Sequence, residues 1–287
     1  MIDLHTHSKG SDGEKTPEEL IDFAISNKIK ALAITDHDTI DSIEKAVNYA
    51  IDKEILLIPG IEFDTEFKNG EMHILGLFID YKNEYLKQRL SKIKQERDER
   101  NREFIKEFNK IGFDVTLEEL KKVSGGRIIG KPHFGRLFVE KKYIKQIEEV
   151  FEKYFNKSPF KDIPKTTYSP KEVIKTIKEA KGMAILAHPQ TLNLSEGDLR
   201  NEIKLLKSYG LDGIECYHSK QTAEEMKLFK QIAEENKLVI SKGSDYHRDI
   251  SKLNIKIGTG INNNIVTNED EKILDILIEK HKLINEE

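Results

Sequence analysis

The chain has 287 residues, 47 of them Lys or Arg and 51 Asp or Glu, for a formal net charge of −4, with one cysteine and no tryptophan. Cys216 alone excludes a disulfide framework and a cysteine-built zinc site, and a free thiol is easiest to keep in a reducing compartment, so a cytoplasmic location is expected. The near balance of charge gives no global attraction to nucleic acid. No stretch approaches the roughly 20 apolar residues of a membrane span and no basic region precedes an apolar leader, so neither membrane insertion nor export is expected.

Residues 2–80 repeat one unit: a short apolar run, polar residues at its carboxyl end, a helical pattern, then another apolar run. That alternation predicts parallel β/α units. Thr16-Pro17-Glu18-Glu19 offers an N-cap, a first-turn proline and a capping glutamate, predicting a helix over 17–28. Ala31 to Thr35 reads as a buried strand, Ile43, Ala46, Val47, Ala50 and Ile51 as one helical stripe, and Leu56 to Pro59 as the next strand, with His37 and Glu62 just beyond strand ends. Met72 to Ile79 is a further strand, although His73 near its start departs from a plain core pattern.

From about 84 to 111 the chain is charged and helical, with Leu86, Leu90, Ile93, Phe104, Phe108 and Ile111 near the 3.6-residue period and Arg97 and Asn101 interrupting that face. Residues 112–165 hold further short helices, one capped by Thr116 and Glu119. The span 84–165 therefore reads as a helical insertion between two parts of a main domain, 1–83 and 166–287. Ser169-Pro170-Lys171-Glu172 caps a helix that restores the earlier rhythm, and Met183 to Ala187 is a strand ending at His188-Pro189. Asp212 to Cys216 and Leu238 to Ser241 are strands around a Thr222 to Glu235 helix, the second reaching Asp245 and His247 across a glycine turn. Asn268 to Leu283 has helical spacing and can cover the outside of a sheet or barrel.

His5-Thr6-His7 follows Ile2-Asp3-Leu4, so alternation along an extended chain can point both imidazoles to one side. Asp12, His37, Glu62, His73, His188, Asp245 and His247 add four imidazoles and three carboxylates, chiefly at predicted carboxyl ends of strands. Nine donors are too many for one metal, but carboxylates can bridge cations, so the inventory favours a multinuclear centre. Each piece alone has a plain reading: an isolated HxH can be surface or core histidines, and Gly60-Ile61-Glu62, His188-Pro189 and Asp245-Tyr246-His247 can be loop termini. Their recurrence after strands carries the inference.

In this order DLHTHS at 3–8, SDG at 11–13, ITDHDT at 34–39, PGIE at 59–62, MHILG at 72–76, LAHP at 186–189 and GSDYH at 243–247 resemble the polymerase-and-histidinol-phosphatase, or PHP, family of metal-dependent phosphoesterases. The resemblance covers most of the chain. It implies an α/β fold, a distorted seven-stranded (β/α) barrel with a smaller inserted helical domain near the active-site opening. It assigns His5, His7, Glu62 and Asp245 to one metal, with Glu62 also reaching a second held by His73 and His188, and gives Asp12, His37 and His247 to a third. Asp36 is then expected to support His37 or organise its turn, and Asp38 to lie outside the site. Mixed nitrogen and oxygen donors fit manganese, zinc or iron better than a magnesium cage.

The nearest subgroup by resemblance acts on nucleotide 3′,5′-bisphosphates or shortens small 5′-phosphorylated oligonucleotides. Gly130-Lys131-Pro132-His133-Phe134-Gly135-Arg136 resembles its arginine-proline-histidine segment, with Lys131 supplying an ammonium in place of a planar guanidinium. Lys131, His133 and Arg136 are expected at substrate phosphate, and Arg97 at a non-reacting phosphate. Lys87 to Arg102 holds seven basic residues against three acids, a segment that an acidic substrate can approach or an ordinary solvated helix. The expected reaction is phosphate-ester hydrolysis by a metal-bound water supported by His5, His7, Glu62, His188 and Asp245. His218, a possible aid to the leaving group or a packing residue, stays outside the set. The partners implied are a phosphorylated nucleotide or short RNA, with no obligate protein partner. Alternatives are a histidinol-phosphate or other small-molecule phosphatase, a carbonyl or amide hydrolase, and a metal-dependent regulatory module without turnover.

Overall fold

Reciprocal caps punctuate the chain where the sequence predicts them. Thr16, Thr116, Ser169 and Thr222 each accept the N–H of a glutamate three residues on, and that glutamate's carboxylate returns to the cap N–H. Such caps contribute about 1 kcal/mol each and fix where a helix begins. The computed structural model describes residues 1–125, 128–164, 168–249 and 253–286.

The chain divides into two compact units, one of residues 1–89 with 167–287 and one of residues 90–166. The first holds seven strands in chain order, β1 (Ile2–Thr6), β2 (Ala31–Ile34), β3 (Leu56–Thr65), β4 (Met72–Leu77), β5 (Met183–Leu186), β6 (Gly213–His218) and β7 (Val239–Gly243), each hydrogen-bonded to the next. The sheet closes on itself where the Asp245 N–H donates to the His5 carbonyl at 2.9 Å and the His7 N–H to the Tyr246 carbonyl at 2.9 Å. The result is a nearly closed α/β barrel. Its helices are α1 (Pro17–Ser26) and α2 (Ile43–Ala50), then, after α3 (Glu84–Lys110), α4 (Leu117–Val123), α5 (Lys131–Glu140) and α6 (Glu148–Val150) of the intervening chain, α7 (Pro170–Glu179), α8 (Glu196–Ser208), α9 (Ala223–Glu235) and α10 (Asp270–Glu286).

One strand corrects the expectation of uniformly parallel units. β4 is antiparallel to both β3 and β5, whereas the other pairs are parallel. β3 also runs on through Glu62 to Thr65, so Glu62 lies within a strand and is paired opposite Leu75. Because β4 is reversed, its amino end, with His73, sits at the carboxyl ends of its neighbours. This explains a histidine at the start of an otherwise apolar run.

Alternation sorts the barrel's residues. Ala33 pairs with Ile58, Glu62 with Leu75, Leu75 with Ile185, Ile185 with Gly213 and Glu215 with Ser241. This row carries the apolar interior of Ile2, Leu4, Ala31, Ala33, Ile58, Leu75, Leu77 and Ile185, to which α10 adds Ile273 and Leu277. The opposite face, Leu32 and Ile34, packs with Leu20, Ile21, Ile43 and Ala46 of α1 and α2. Ile51 falls outside the α2 stripe at 71% exposure.

The second unit is a small helical body around Phe104, Phe108, Phe134, Phe138, Phe155 and Phe160, with rings meeting edge-on, as Phe108 does with Phe138 at 4.7 Å. Asn101, which interrupts the apolar face of α3, is buried and donates to the Ile129 carbonyl at 3.0 Å. Ile111, predicted on that face, is 51% exposed beyond the helix end.

Candidate metal centre

A strand with Ile2 and Leu4 on its core face would turn His5 away. A register shift between Asp3 and Thr6 interrupts the alternation, and a bulge of this kind re-aims a side chain. His5 and His7 both reach the interior, their Nε2 atoms each 3.3 Å from Glu62 Oε2. Asp245 Oδ1 lies 3.7 Å from His5 Nε2 and 3.4 Å from His7 Nε2.

The remaining predicted donors gather around the same carboxylate. Glu62 Oε1 is 2.8 Å from His73 Nδ1 and 2.9 Å from His188 Nε2, and Oε2 is 2.9 Å from His37 Nδ1. Asp12 Oδ1 stands 3.3 Å from His247 Nε2 and 4.0 Å from His37 Nε2. Four overlapping sets have donor atoms close enough to share an ion: His7, Asp12, His37 and His247; His5, His7 and Asp245; His5, Glu62 and His188; and His37, Glu62 and His73. All nine predicted residues are thus brought together. His188 and Asp245 have positive φ, +28° and +58°, uncommon for side-chain-bearing residues and concentrated at functional sites.

Hydrogen bonds behind the ring fix which nitrogen faces the chamber. His5 Nδ1 meets Glu215 at 2.9 Å, His247 Nδ1 meets the Asp245 backbone carbonyl at 2.9 Å, and His188 Nδ1 meets Thr191 Oγ1 at 3.1 Å. A carbonyl only accepts, and the Thr191 hydroxyl proton is directed to the Glu71 or His188 carbonyl. With Nδ1 donating, the three Nε2 lone pairs face carboxylate oxygens. Two sets of lone pairs about 3 Å apart repel unless a proton or a cation sits between them. His5 Nε2 and His7 Nε2 are buried with no hydrogen-bond partner among the described residues. This donor set fits divalent cations.

Without cations the carboxylates and imidazoles compensate one another. Burial pushes the Glu62 carboxyl up, but His37, His5 and His73 outweigh it and hold it well below the usual range. Burial likewise raises Asp12 and Asp245, yet His247 and His37 beside the first, and Lys220 and His247 beside the second, keep both well below. His247 is lowered by burial but lifted to about 9 by Asp12 and Asp245. For His188 burial prevails, and its value falls to about 4.

Glu215 is a residue that sequence reasoning missed. It is fully buried, accepts from His5 Nδ1 and takes the His188 backbone N–H at 2.8 Å. The available signal was a glutamate at an interior position of the Gly213-Ile214-Glu215-Cys216 strand. Asp36 does not touch an imidazole. It accepts from Ser8 N at 2.7 Å, Ser8 Oγ at 2.6 Å and Ser11 Oγ at 2.9 Å, and from Ser42 Oγ, so it organises the loop carrying Asp12. His218, expected after its strand, is the last residue of β6.

The predicted substrate residues all belong to the helical unit. Arg97 is half-buried on α3 and Lys131 and Arg136 are half-buried on α5. Lys131 Nζ lies 5.2 Å from the Phe155 ring centre. His133 is buried, and its Nδ1 accepts the Gly130 N–H at 3.0 Å, capping its own helix. One ring nitrogen is therefore committed to structure.

The PHP domain model matches residues 3–163. The 5′-3′ exoribonuclease Rnm of Escherichia coli is 31% identical over 251 residues, covering 86% of this chain and 85% of that protein. A 3′,5′-nucleoside bisphosphate phosphatase of Chromobacterium violaceum is 30% identical, covering 86% and 87%. Among solved structures, a protein assigned as a metal-dependent phosphoesterase from Bifidobacterium adolescentis superposes with a TM-score of 0.82 at 25% identity over 95% of both chains. An amidohydrolase from Chromobacterium violaceum with bound sulfate gives 0.78 at 29% identity, covering 86% and 87%. Among the described residues no helix is long and apolar enough to cross a membrane. With this barrel and this constellation of donors, the chain belongs to the PHP domain family of metal-dependent phosphoesterases.

Proposed function

We propose that the enzyme removes the 3′ phosphate of nucleoside 3′,5′-bisphosphates or shortens small 5′-phosphorylated oligonucleotides. The observation that carries the metal-dependent reading is the convergence of imidazole lone pairs on the carboxylates of Glu62, Asp12 and Asp245. The nucleotide reading draws on the relatives named as an exoribonuclease and a bisphosphate phosphatase.

In this reading His5, His7, Glu62 and Asp245 hold one ion, Glu62, His73 and His188 a second, and Asp12, His37 and His247 a third, with manganese, zinc or iron suited to the donors. Such cations, when bound, activate water and neutralise charge on phosphoryl oxygens. The chain's own contribution is orientation: Glu215, Thr191 and the Asp245 carbonyl hold the rings of His5, His188 and His247. Arg97, Lys131, His133 and Arg136, in the insertion at 84–165, take the substrate-binding role, with the ammonium of Lys131 giving weaker bidentate recognition than a guanidinium.

The test incubates metal-loaded protein with adenosine 3′,5′-bisphosphate and follows inorganic phosphate together with the surviving mononucleotide. Release of the 3′ phosphate supports the reading. Turnover of histidinol phosphate but not of bisphosphate or 5′-phosphorylated RNA would replace it with a metabolic phosphatase. Amide or carbonyl-ester turnover would support the second reading, to which the amidohydrolase neighbour points.

A further inference from the structure

His218 lies beside the nine-residue set without belonging to it. It is fully buried, with its ring centre 5.3 Å from that of His188 and 6.2 Å from that of His5. Its tautomer follows from a chain of bonds that begins at the backbone. The His218 N–H donates to Gln221 Oε1 at 3.0 Å, so Gln221 Nε2 donates, reaching Gln190 Oε1 at 3.0 Å. Gln190 Nε2 must then donate to His218 Nδ1, 3.1 Å away, and the Lys220 backbone N–H, which can only donate, meets the same nitrogen at 3.2 Å. Nδ1 is an acceptor on two counts, and the ring proton sits on Nε2.

That Nε2–H is buried without a hydrogen-bond partner among the described residues. It stands 3.5 Å from Asp245 Oδ2, at the limit of a hydrogen bond, and Lys220 Nζ is 3.1 Å from the same oxygen. Asp245 therefore has two sides: Oδ1 faces His5, His7 and His247, and Oδ2 faces two donors. A nitrogen that carries its proton has no lone pair for a cation, so His218 is not a tenth ligand. A buried donor without an acceptor is costly to keep unless something supplies one.

We propose that His218 contacts substrate, donating Nε2–H to an oxygen of the reacting phosphoryl group, with the Lys220 ammonium as a second donor on the Oδ2 side of Asp245. The inference rests on the phosphoesterase reading. Fixed donors aimed at phosphoryl oxygens stabilise charge as it develops there.

Asparagine and glutamine separate the two ends of the ring. His218→Asn keeps an acceptor where Nδ1 meets the Lys220 N–H and removes the donor at Nε2, whereas His218→Gln restores a donor at that reach. The experiment titrates inorganic phosphate into manganese-loaded protein by calorimetry and counts bound metal in parallel. Expected are an unchanged metal count with at least tenfold weaker phosphate binding in His218→Asn, partial recovery in His218→Gln, and a similar loss in Lys220→Met, where the lysine side chain is 44% exposed and outside the core, with thermal melts checking that each variant is folded. Wild-type phosphate affinity in folded His218→Asn or in Lys220→Met, or loss of one metal equivalent in His218→Asn, would overturn the assignment while leaving the phosphoesterase reading standing. Failure of the wild-type protein both to bind phosphate and to hydrolyse any phosphate ester would overturn the two together.

Discussion

His5 and Glu215 form a buried pair, Nδ1 to Oε1 at 2.9 Å, in which the carboxylate stands behind the imidazole. The other Glu215 oxygen takes the His188 N–H at 2.8 Å, so one side chain orients two proposed ligands. Glu215→Gln can accept only one of those bonds and presents an amide donor to the other. Metal affinity is expected to fall 10- to 100-fold, the usual cost of losing such a support, measured by competition with a chelator. Wild-type affinity in the folded variant would remove Glu215 from the assembly.

Gly243 is required by that pair. A Cβ there would lie 2.2 Å from His5 Cβ and 2.6 Å from Glu215 Oε1, closer than real contacts allow. Gly243→Ala is expected to destabilise the protein by about 1 to 3 kcal/mol, as overpacking does, and to lower metal content at fixed manganese. Thermal melts and elemental analysis check both, and an unchanged metal content would show that β7 yields without moving His5.

Asp36→Ala removes the common acceptor of Ser8, Ser11 and Ser42. Leaving buried donors unmade costs about 1 to 3 kcal/mol each, and the loop that carries Asp12 loses its anchor. The expected outcome is lower stability with selective loss of the ion assigned to Asp12, His37 and His247, read as a fractional metal count after dialysis. A full complement would contradict the anchoring role.

The metal-free protein should lose stability as pH rises from the ordinary histidine value of 6.5 towards about 9. Burial lowers His247, but Asp12 and Asp245 raise it to about 9, and Glu215 and Glu62 carry His5 well above its ordinary value against the effect of burial. A raised folded value contributes stability that is fully present below the unfolded value and is lost as pH rises through the folded one, at about 1.4 kcal/mol per unit. Cations replace these protons, so metal uptake should release protons and the loaded protein should show a flatter curve. Melting with and without chelator across this window checks the sign, and a rising metal-free curve would refute it.

His7→Ala and Asp245→Ala are expected to impair metal loading and turnover together. Arg136→Ala should spare metal loading and weaken reaction of the doubly phosphorylated substrate more than of a simple monoester. Parallel metal analysis and kinetics on both substrates distinguish these cases; normal turnover by either ligand variant at low metal concentration would contradict the ligand assignment.

The capped helices and the strand order were legible because caps and hydrophobic period are local properties of the chain. Most of the nine proposed donors were legible because they follow predicted strands, although Glu62 lies within β3 and not beyond its end. What escaped was non-local. Nothing in Met72 to Leu77 announces that β4 runs backwards, which is what brings His73 to the chamber, and nothing in Ile2 to Thr6 announces the register shift. Glu215 looked like one acid within a strand until its neighbours were known. Lys220, which reaches Asp245, reads as an ordinary loop lysine.

The seam of the barrel falls between β1 and β7, and the chamber straddles it. His5, His7 and Asp12 come from the start of the chain and Asp245 and His247 from after the seventh strand, so the two proposed ion sites that use them are incomplete until the seam closes, whereas Glu62, His73 and His188 lie on or beside β3, β4 and β5. Long-range closure is slow compared with local helix formation. Capture of those two proposed ions would thereby be postponed until the whole cylinder has been synthesised and zipped, which would make their selection a property of the finished barrel and not of the nascent chain.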